Sequence, residues 1–180
     1  GQTSSTFTVQ QSSTAPTGFT TSLKVAVTSA GAPTASQVLG LAQKIEAYNV
    51  NDLSFGTASA SSVAVSFWVQ SSITGTYSAT ILNNGVNRSY TASFNIASAN
   101  TWQYVTITVP GCTSGTWLTT NGIGFLLFLS LGSGSTYSGT AGSWSGSTYT
   151  SATGATSVVG TNGATFYITG VQLEKGSTAT

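Results

Sequence analysis

The chain contains no histidine, a single cysteine, and only seven acidic or basic residues in 180. Each shortage closes a class of function. Without histidine there is no ordinary general base near neutral pH, no Ser-His or Cys-His nucleophile pair, and none of the commonest metal ligand. Zinc is excluded with it, because no cluster of Cys and His exists. The carboxylates are Glu46, Asp52 and Glu174, and a glycosidase would need two of them across one sugar ring. With Lys44 and Lys175 beside them in sequence, they fit exposed or salt-bridged strand ends better. The chain is therefore expected not to be an enzyme.

Charged residues make up 4% of the chain, where an ordinary soluble domain has about 25%. Solubility must come from hydroxyls, amides and backbone. The four cations, Lys24, Lys44, Arg88 and Lys175, are scattered and the net charge is +1. That is too little to release counterions along a nucleic acid, so no nucleic-acid partner is expected. A surface this poor in charge also gives salt little to screen.

Cys112 cannot form an internal disulfide, and no cation lies near it in sequence to make it reactive. It reads as a small half-buried residue beside the turn at Pro110 and Gly111. The longest apolar run, 125–129, is far short of the ~20 residues that span a bilayer, and no signal pattern opens the chain. Membrane insertion is not expected. The chain opens on Gly1 and stops inside a polar run, which reads as a piece cut from a longer polypeptide.

What is there is a core and a period. Hydrophobic residues reach 39%, enough for one domain over residues 1–180. In residues 62–71 (SVAVSFWVQS), Val63, Val65, Phe67 and Val69 alternate with Ala64, Ser66, Trp68 and Gln70, the pattern of a half-buried strand. Residues 101–109 (TWQYVTITV) repeat it with Val105, Ile107 and Val109. Further strands are predicted at 6–10, 18–28, 76–82, 89–96, 122–131 and 164–174. Turn residues separate them, and the Asn83-Asn84-Gly85 turn makes 76–96 the clearest hairpin. Many short strands at this spacing imply a β-sandwich or barrel.

Three segments raise questions. In residues 36–48 (SQVLGLAQKIEAY), Val38, Leu41, Ile45 and Tyr48 fit a helix behind a Ser36 cap, while Leu39, Leu41, Ile45 and Ala47 fit a strand. The bare pattern leans to the helix, although Gly40 weakens it. Residues 125–129 (FLLFL) are apolar on both faces. One face can meet the core, and the other needs a loop, a tail or a second subunit, which makes Phe125, Leu127 and Leu129 interface candidates. Residues 135–163 are almost all Ser, Thr, Gly and Ala, yet they carry Tyr137, Trp144 and Tyr149. Because they lie between two predicted strands, they are expected to be an ordered loop. Trp144 is its expected anchor and a short strand is expected near 147–150, the whole lying over an outer face of the sandwich or against a neighbouring subunit.

The aromatic residues and their polar neighbours carry the remaining chemistry. Rings flanked by amides and hydroxyls can hold a neutral glycan without charge. The candidates are Trp68, on the polar side of its strand, and Tyr137, Trp144 and Tyr149 in the loop. For each, packing onto the sandwich is the competing use of the ring.

Residues 43–77 (QKIEAYNVNDLSFGTASASSVAVSFWVQSSITGTY), 100–111 (NTWQYVTITVPG), the STYSGTAGSW stretch and 164–180 (ATFYITGVQLEKGSTAT) resemble a module of tail-fibre and other virion proteins of marine and cyanobacterial phages. More distantly, the SFWV, W-x-x-V-T-I-T-V-P and FYITGVQLE strands look like jelly-roll carbohydrate-binding modules of polysaccharide-degrading enzymes. The resemblance implies an all-β, antiparallel jelly-roll sandwich of two sheets, with residues 36–48 mainly a strand. It implies one module of a longer virion protein at the virion surface, built as a homo-oligomer, a trimer by preference. In many such jelly rolls an acidic residue of the closing strand helps hold a structural Ca²⁺. The comparable place here, Ile168 to Val171, has no carboxylate, so no cofactor is expected, with Ca²⁺ on backbone carbonyls the one alternative.

The leading expectation is thus a virion module that helps attach the particle to a host-surface glycan. The alternatives are an architectural module that meets other virion proteins, and a carbohydrate-binding module of a bacterial glycanase.

Overall fold

A computed structural model describes residues 5–180. Its strands are β1 (Thr6–Ser12), β2 (Ser22–Ser29), β3 (Val38–Glu46), β4 (Val63–Ser71), β5 (Gly75–Leu82), β6 (Ser89–Ile96), β7 (Gln103–Val109), β8 (Ile123–Ser133), β9 (Ser138–Gly139), β10 (Trp144–Ser145), β11 (Ser151–Ala152) and β12 (Thr165–Lys175). Ten of them form two five-stranded sheets in the orders β1-β2-β12-β4-β7 and β10-β6-β5-β8-β3. The long strands pair antiparallel throughout, and only the two-residue strands β9 and β11 run parallel. This is the jelly-roll sandwich expected from the sequence.

Alternation places the core between the sheets. Val63, Val65, Phe67 and Val69 of β4 face Tyr77, Ile81 and Phe94 of the second sheet, and Phe125, Leu127, Leu129 and Leu131 of β8 complete the layer. The predicted hairpin forms as drawn, with Gly75 opposite Ile96 and Leu82 opposite Ser89. Tyr77 is fully buried, its hydroxyl donating to the Ile73 carbonyl at 2.7 Å.

Residues 36–48 resolve as strand. β3 pairs with β8 from Val38 opposite Ser133 to Glu46 opposite Ile123, which turns Leu39, Leu41 and Ile45 to the core. Gly40, which weakened the helix, is what the strand requires. A Cβ there would stand 2.4 Å from the Leu129 carbonyl oxygen and from the Phe128 ring, closer than any side chain is tolerated.

Two expectations are corrected. β4 is not half-buried: it is the second strand in from the edge of its sheet, and Ala64 and Ser66 on its outer side are as buried as the valines. The chain end crosses that side, where Thr108 Oγ1 donates to the Ser177 carbonyl at 2.8 Å, and Ser66 Oγ donates to Gln172 Oε1 at 3.3 Å. The interface candidates Phe125, Leu127 and Leu129 are no surface at all. All three point into the core at 6% exposure or less, so the apolar face that called for a second subunit is the sandwich's own interior. The outward residues of that run are Leu126 and Phe128, both half-buried.

Residues 135–163 are ordered: the stretch up to Thr153 lies over the outer face of the second sheet, and Val158 and Val159 enter the core. Ala152 N–H donates to Ser78 Oγ at 2.9 Å, Ser89 Oγ donates to the Ser147 carbonyl at 2.7 Å, and Gly142 N–H donates to the Thr91 carbonyl at 2.8 Å. The covered strands carry small polar side chains there, Ser78, Thr80, Ser89 and Thr91, each almost fully buried. Buried hydroxyls need partners: the loop supplies them for Ser78 and Ser89, while Thr80 Oγ1 donates to Thr91 Oγ1 at 3.0 Å. The loop's short strands are Ser138–Gly139, Trp144–Ser145 and Ser151–Ala152, and none falls in the predicted 147–150.

Candidate functional site

The loop covers the second sheet, and the chain end covers Ala64 and Ser66 on the first, which leaves the outer face of the first sheet open from Trp68 and Tyr104 onward. Alternation in β4 and β7 sends Trp68 and Tyr104 outward directly opposite each other. Their ring centroids are 5.4 Å apart at a 44° tilt, and Tyr104 is 43% exposed. One pleat away a second row crosses the sheet, in which Lys24, Tyr167 and Gln70 are register partners on β2, β12 and β4. The half-buried Trp102 stands 6.2 Å from Tyr167 between ring centroids. Lys24 Nζ lies 5.7 Å from the Tyr167 ring centre, a cation–π distance. Four strands at ~4.8 Å spacing make this band about 14 Å wide.

Beside Trp68 the face deepens into a cleft of about 440 Å³ lined by Phe19, Trp68, Tyr104, Gln172 and Thr180. A bulge in β12 between Thr169 and Gln172 opens it. Gly170 sits in the bulge at φ +61°, and a Cβ there would meet the Phe19 ring at 2.6 Å. Phe19 can form one wall of the cleft only because residue 170 has no side chain. The other wall is the chain end. Glu174 accepts from the Thr180 hydroxyl at 2.6 Å and from the Thr180 N–H at 3.1 Å. These two bonds hold the Glu174 carboxyl below its ordinary pKa.

Of the four aromatic residues singled out in the sequence, only Trp68 is on this face. Trp144 pairs with Tyr90 along the sheet edge, and its ring meets Tyr90, Phe55 and Trp117 at 5.4, 5.9 and 5.6 Å. Its indole N–H donates to the Pro110 carbonyl. It is half-buried and staples the loop to the sandwich. Tyr149 lies against Gly139, where a Cβ would stand 2.3 Å from its ring, and Tyr137 is half-buried in the turn Ser135–Tyr137. The structure does not bring these three to Trp68. Sequence reasoning missed Trp102, Tyr104, Tyr167 and Phe19. The signal for Trp102 and Tyr104 was present, since they alternate with Val105, Ile107 and Val109 on the same strand.

The carboxylates do not converge on this face. Asp52 Oδ2 forms an ion pair with Lys175 Nζ at 3.1 Å, and Glu174 is held by Thr180. Among the described residues no group of three Cys, Asp or Glu side chains is placed to hold a metal ion.

No protein-family model matches the chain, and no curated protein matches it by sequence. Solved structures do match its fold. The tailspike protein 4 enzymatically active domain of bacteriophage CBA120 is 15% identical with a TM-score of 0.51, over 94% of this chain and 18% of that one. The CBM22-1–GH10 modules of a Clostridium thermocellum endo-1,4-beta-D-xylanase, solved with xylohexaose, are 10% identical with a TM-score of 0.51, over 97% and 25%. A structure described as CBM4 structure and function is 17% identical with a TM-score of 0.47, over 94% and 90%. The chain thus spans a quarter or less of the first two. What the first two likenesses show is the sandwich fold.

Proposed function

We propose that this chain is a non-catalytic carbohydrate-binding module whose open sheet face binds a neutral polysaccharide. The observation that carries the reading is the outward pair Trp68 and Tyr104, continued by Trp102 and Tyr167 across the open face of the first sheet. Rings of this kind stack on the apolar faces of sugars, and Gln172, Thr106 and Thr169 supply hydrogen-bond partners beside them. Among the described residues Lys24 is the one cation on this face, and it lies against Tyr167, which suits an uncharged ligand. The dispersed carboxylates support a binding role over hydrolysis.

Two settings use such a face: a module of a polysaccharide-degrading enzyme, and a module displayed at a virion surface for attachment to host glycan. The fold likeness to a xylanase-linked module supports the first, and the fold likeness to a bacteriophage tailspike domain supports the second. The coding sequence on either side of this segment decides between them.

Affinity electrophoresis against xylan, mixed-linked glucan and bacterial envelope polysaccharide tests the binding itself. Removing one stacking ring forfeits about 1.5–3 kcal/mol, roughly ten- to hundredfold in Kd. Trp68→Ala and Tyr104→Ala are expected to lose retention while keeping the circular dichroism of the parent. A folded parent that is retained by no neutral polysaccharide overturns the proposal.

A further inference from the structure

We infer that the cavity at one end of the sandwich is a second ligand site, one that takes a single neutral monosaccharide ring. It measures about 300 Å³ and lies between residues 50–59, residues 117–119 and the start of β8. It shares no lining residue with the cleft beside Trp68.

Its floor is aromatic. Phe55 meets Trp117 edge-on at 4.9 Å and Phe125 at 4.7 Å, and Trp117 meets Phe125 at 5.2 Å. Its rim is amide and hydroxyl, from Asn51, Ser54, Thr57, Ser59 and Thr119, with no charged side chain among its lining residues. That combination fits a ring with an apolar face and a belt of hydroxyls, and it gives an ionic ligand nothing to pair with. At the small end of the range for ligand sites, the volume suits one ring, in contrast to the open face where a chain can run through.

The wall is built before any ligand arrives. Ser54 N–H donates to the Asn51 carbonyl, Thr57 N–H to the Ser54 carbonyl, Ser61 N–H to the Leu53 carbonyl, and Gly56 N–H to the Cys112 carbonyl at 2.7 Å. A preordered wall spares the ligand the entropy of arranging it. On this wall Ser54 is held at φ +56°, in the left-handed region that a residue with a Cβ disfavours. Glycine would sit there without strain, so the serine keeps a hydroxyl on the rim at a conformational cost. The assignment of the ligand as a sugar rests on the reading of the open face, whereas the location of the site does not.

The test is an amide correlation spectrum of the ¹⁵N-labelled chain titrated with D-glucose, D-xylose, D-galactose and D-glucuronate. The expected result is saturable shifts at Asn51, Ser54 and the Trp117 indole for a neutral sugar, with Kd of about 1 mM, unchanged in Trp68→Ala. Asn51→Ala and Ser54→Gly each remove one hydrogen-bonding group and should weaken that binding about fivefold. Ser54→Gly relieves the backbone, so loss of fold cannot explain its effect, and both variants should retain polysaccharide binding at the Trp68 face. Shifts confined to the Trp68 face, or none with any monosaccharide while polysaccharide still binds, overturn the second site and leave the first. Glucuronate binding as tightly as glucose overturns the neutral assignment. Monosaccharide shifts at Ser54 in a chain that binds no polysaccharide support the cavity and sink the open-face reading.

Discussion

The indole N–H of Trp144 donates to the carbonyl of Pro110 at 2.8 Å, joining the long polar loop to the end of β7. The same ring packs edge-on to Phe55 and Trp117, so Trp144 ties three separate segments together. Trp144→Ala should destabilise the fold by about 2–4 kcal/mol, as a large aromatic truncation at a partly buried site does. Trp144→Phe keeps most of the ring and gives up the hydrogen bond, for about 1 kcal/mol in addition to any loss of packing. Urea denaturation measures both. Polysaccharide affinity of the folded variants should stay at the parental value, and a specific loss of affinity without loss of stability would return Trp144 to the list of ligand contacts.

Gly170 controls the shape of the cleft beside Trp68. At φ +61°, with the Phe19 ring where its Cβ would be, any side chain is both strained and in collision. Gly170→Ala should cost about 1–2 kcal/mol of stability and displace Phe19. The Phe19 wall would then no longer face Tyr104, and polysaccharide affinity should fall by about tenfold or more, as when one aromatic contact is lost. Phe19→Ala provides the comparison: it should lose similar affinity while leaving the backbone unstrained. Gly170→Ala with unchanged affinity would remove Phe19 from the site.

Much of the fold was legible because it follows from alternation. Every strand of five or more residues coincides with a predicted segment to within about four residues at each end. Within residues 36–48 the bare pattern did not fix the element type, because a 13-residue window carried both periods. Their close approach to Phe128 and Leu129, which only Gly40 permits, is a tertiary fact with no local signature. The face of β8 was misjudged for a related reason. A strand apolar on both sides announces that both sides are covered, but not which of its residues turn to the core, and Phe125, Leu127 and Leu129 are the inward set. The site was half legible. Trp68 stood out on its strand, while Tyr104 was obscured by attention to the inward valines beside it. Tyr167, Phe19 and the chain end join them only through sheet order and the β12 bulge, which no single segment encodes.

The Glu174–Thr180 bonds make the cleft sensitive to acid. The folded state lowers the Glu174 pKa, chiefly through the Thr180 hydroxyl and then the Thr180 N–H. A lowered carboxylate pKa contributes stability that is complete above the unfolded value and is lost as pH falls through the folded one. The tail should therefore hold its wall of the cleft at neutral pH and release it in acid, below the ordinary range for a glutamate. A pH titration of the Thr180 amide resonance should show one transition there, absent in Glu174→Gln. Because the side chain is exposed, global unfolding temperature should barely move across the same transition. A Thr180 resonance indifferent to pH would show that the tail is held by other contacts.

Residues 135–163 should behave as part of the fold and not as a linker, despite their composition. Thr150 N–H donates to the Tyr137 carbonyl and Thr153 N–H to the Gly139 carbonyl, both at 2.9 Å, and Thr156 N–H donates to the Thr76 carbonyl at 2.7 Å. Val158 and Val159, at the far end, are completely buried. The stretch contains no Lys or Arg, so trypsin cannot report on it, but chymotrypsin has Tyr137, Trp144 and Tyr149 as sites. If the loop opens only with the whole domain, cleavage there should be as slow as global unfolding allows and should accelerate with urea in step with loss of structure. Ser78→Ala removes the hydroxyl that receives the Ala152 N–H and leaves that buried donor unsatisfied, at about 1–3 kcal/mol. Cleavage at Tyr149 should then rise before the rest of the domain unfolds. Rapid cutting at all three aromatic sites in the parent protein at neutral pH would mean that the hydroxyl network does not hold, and that the second sheet is as open as the first.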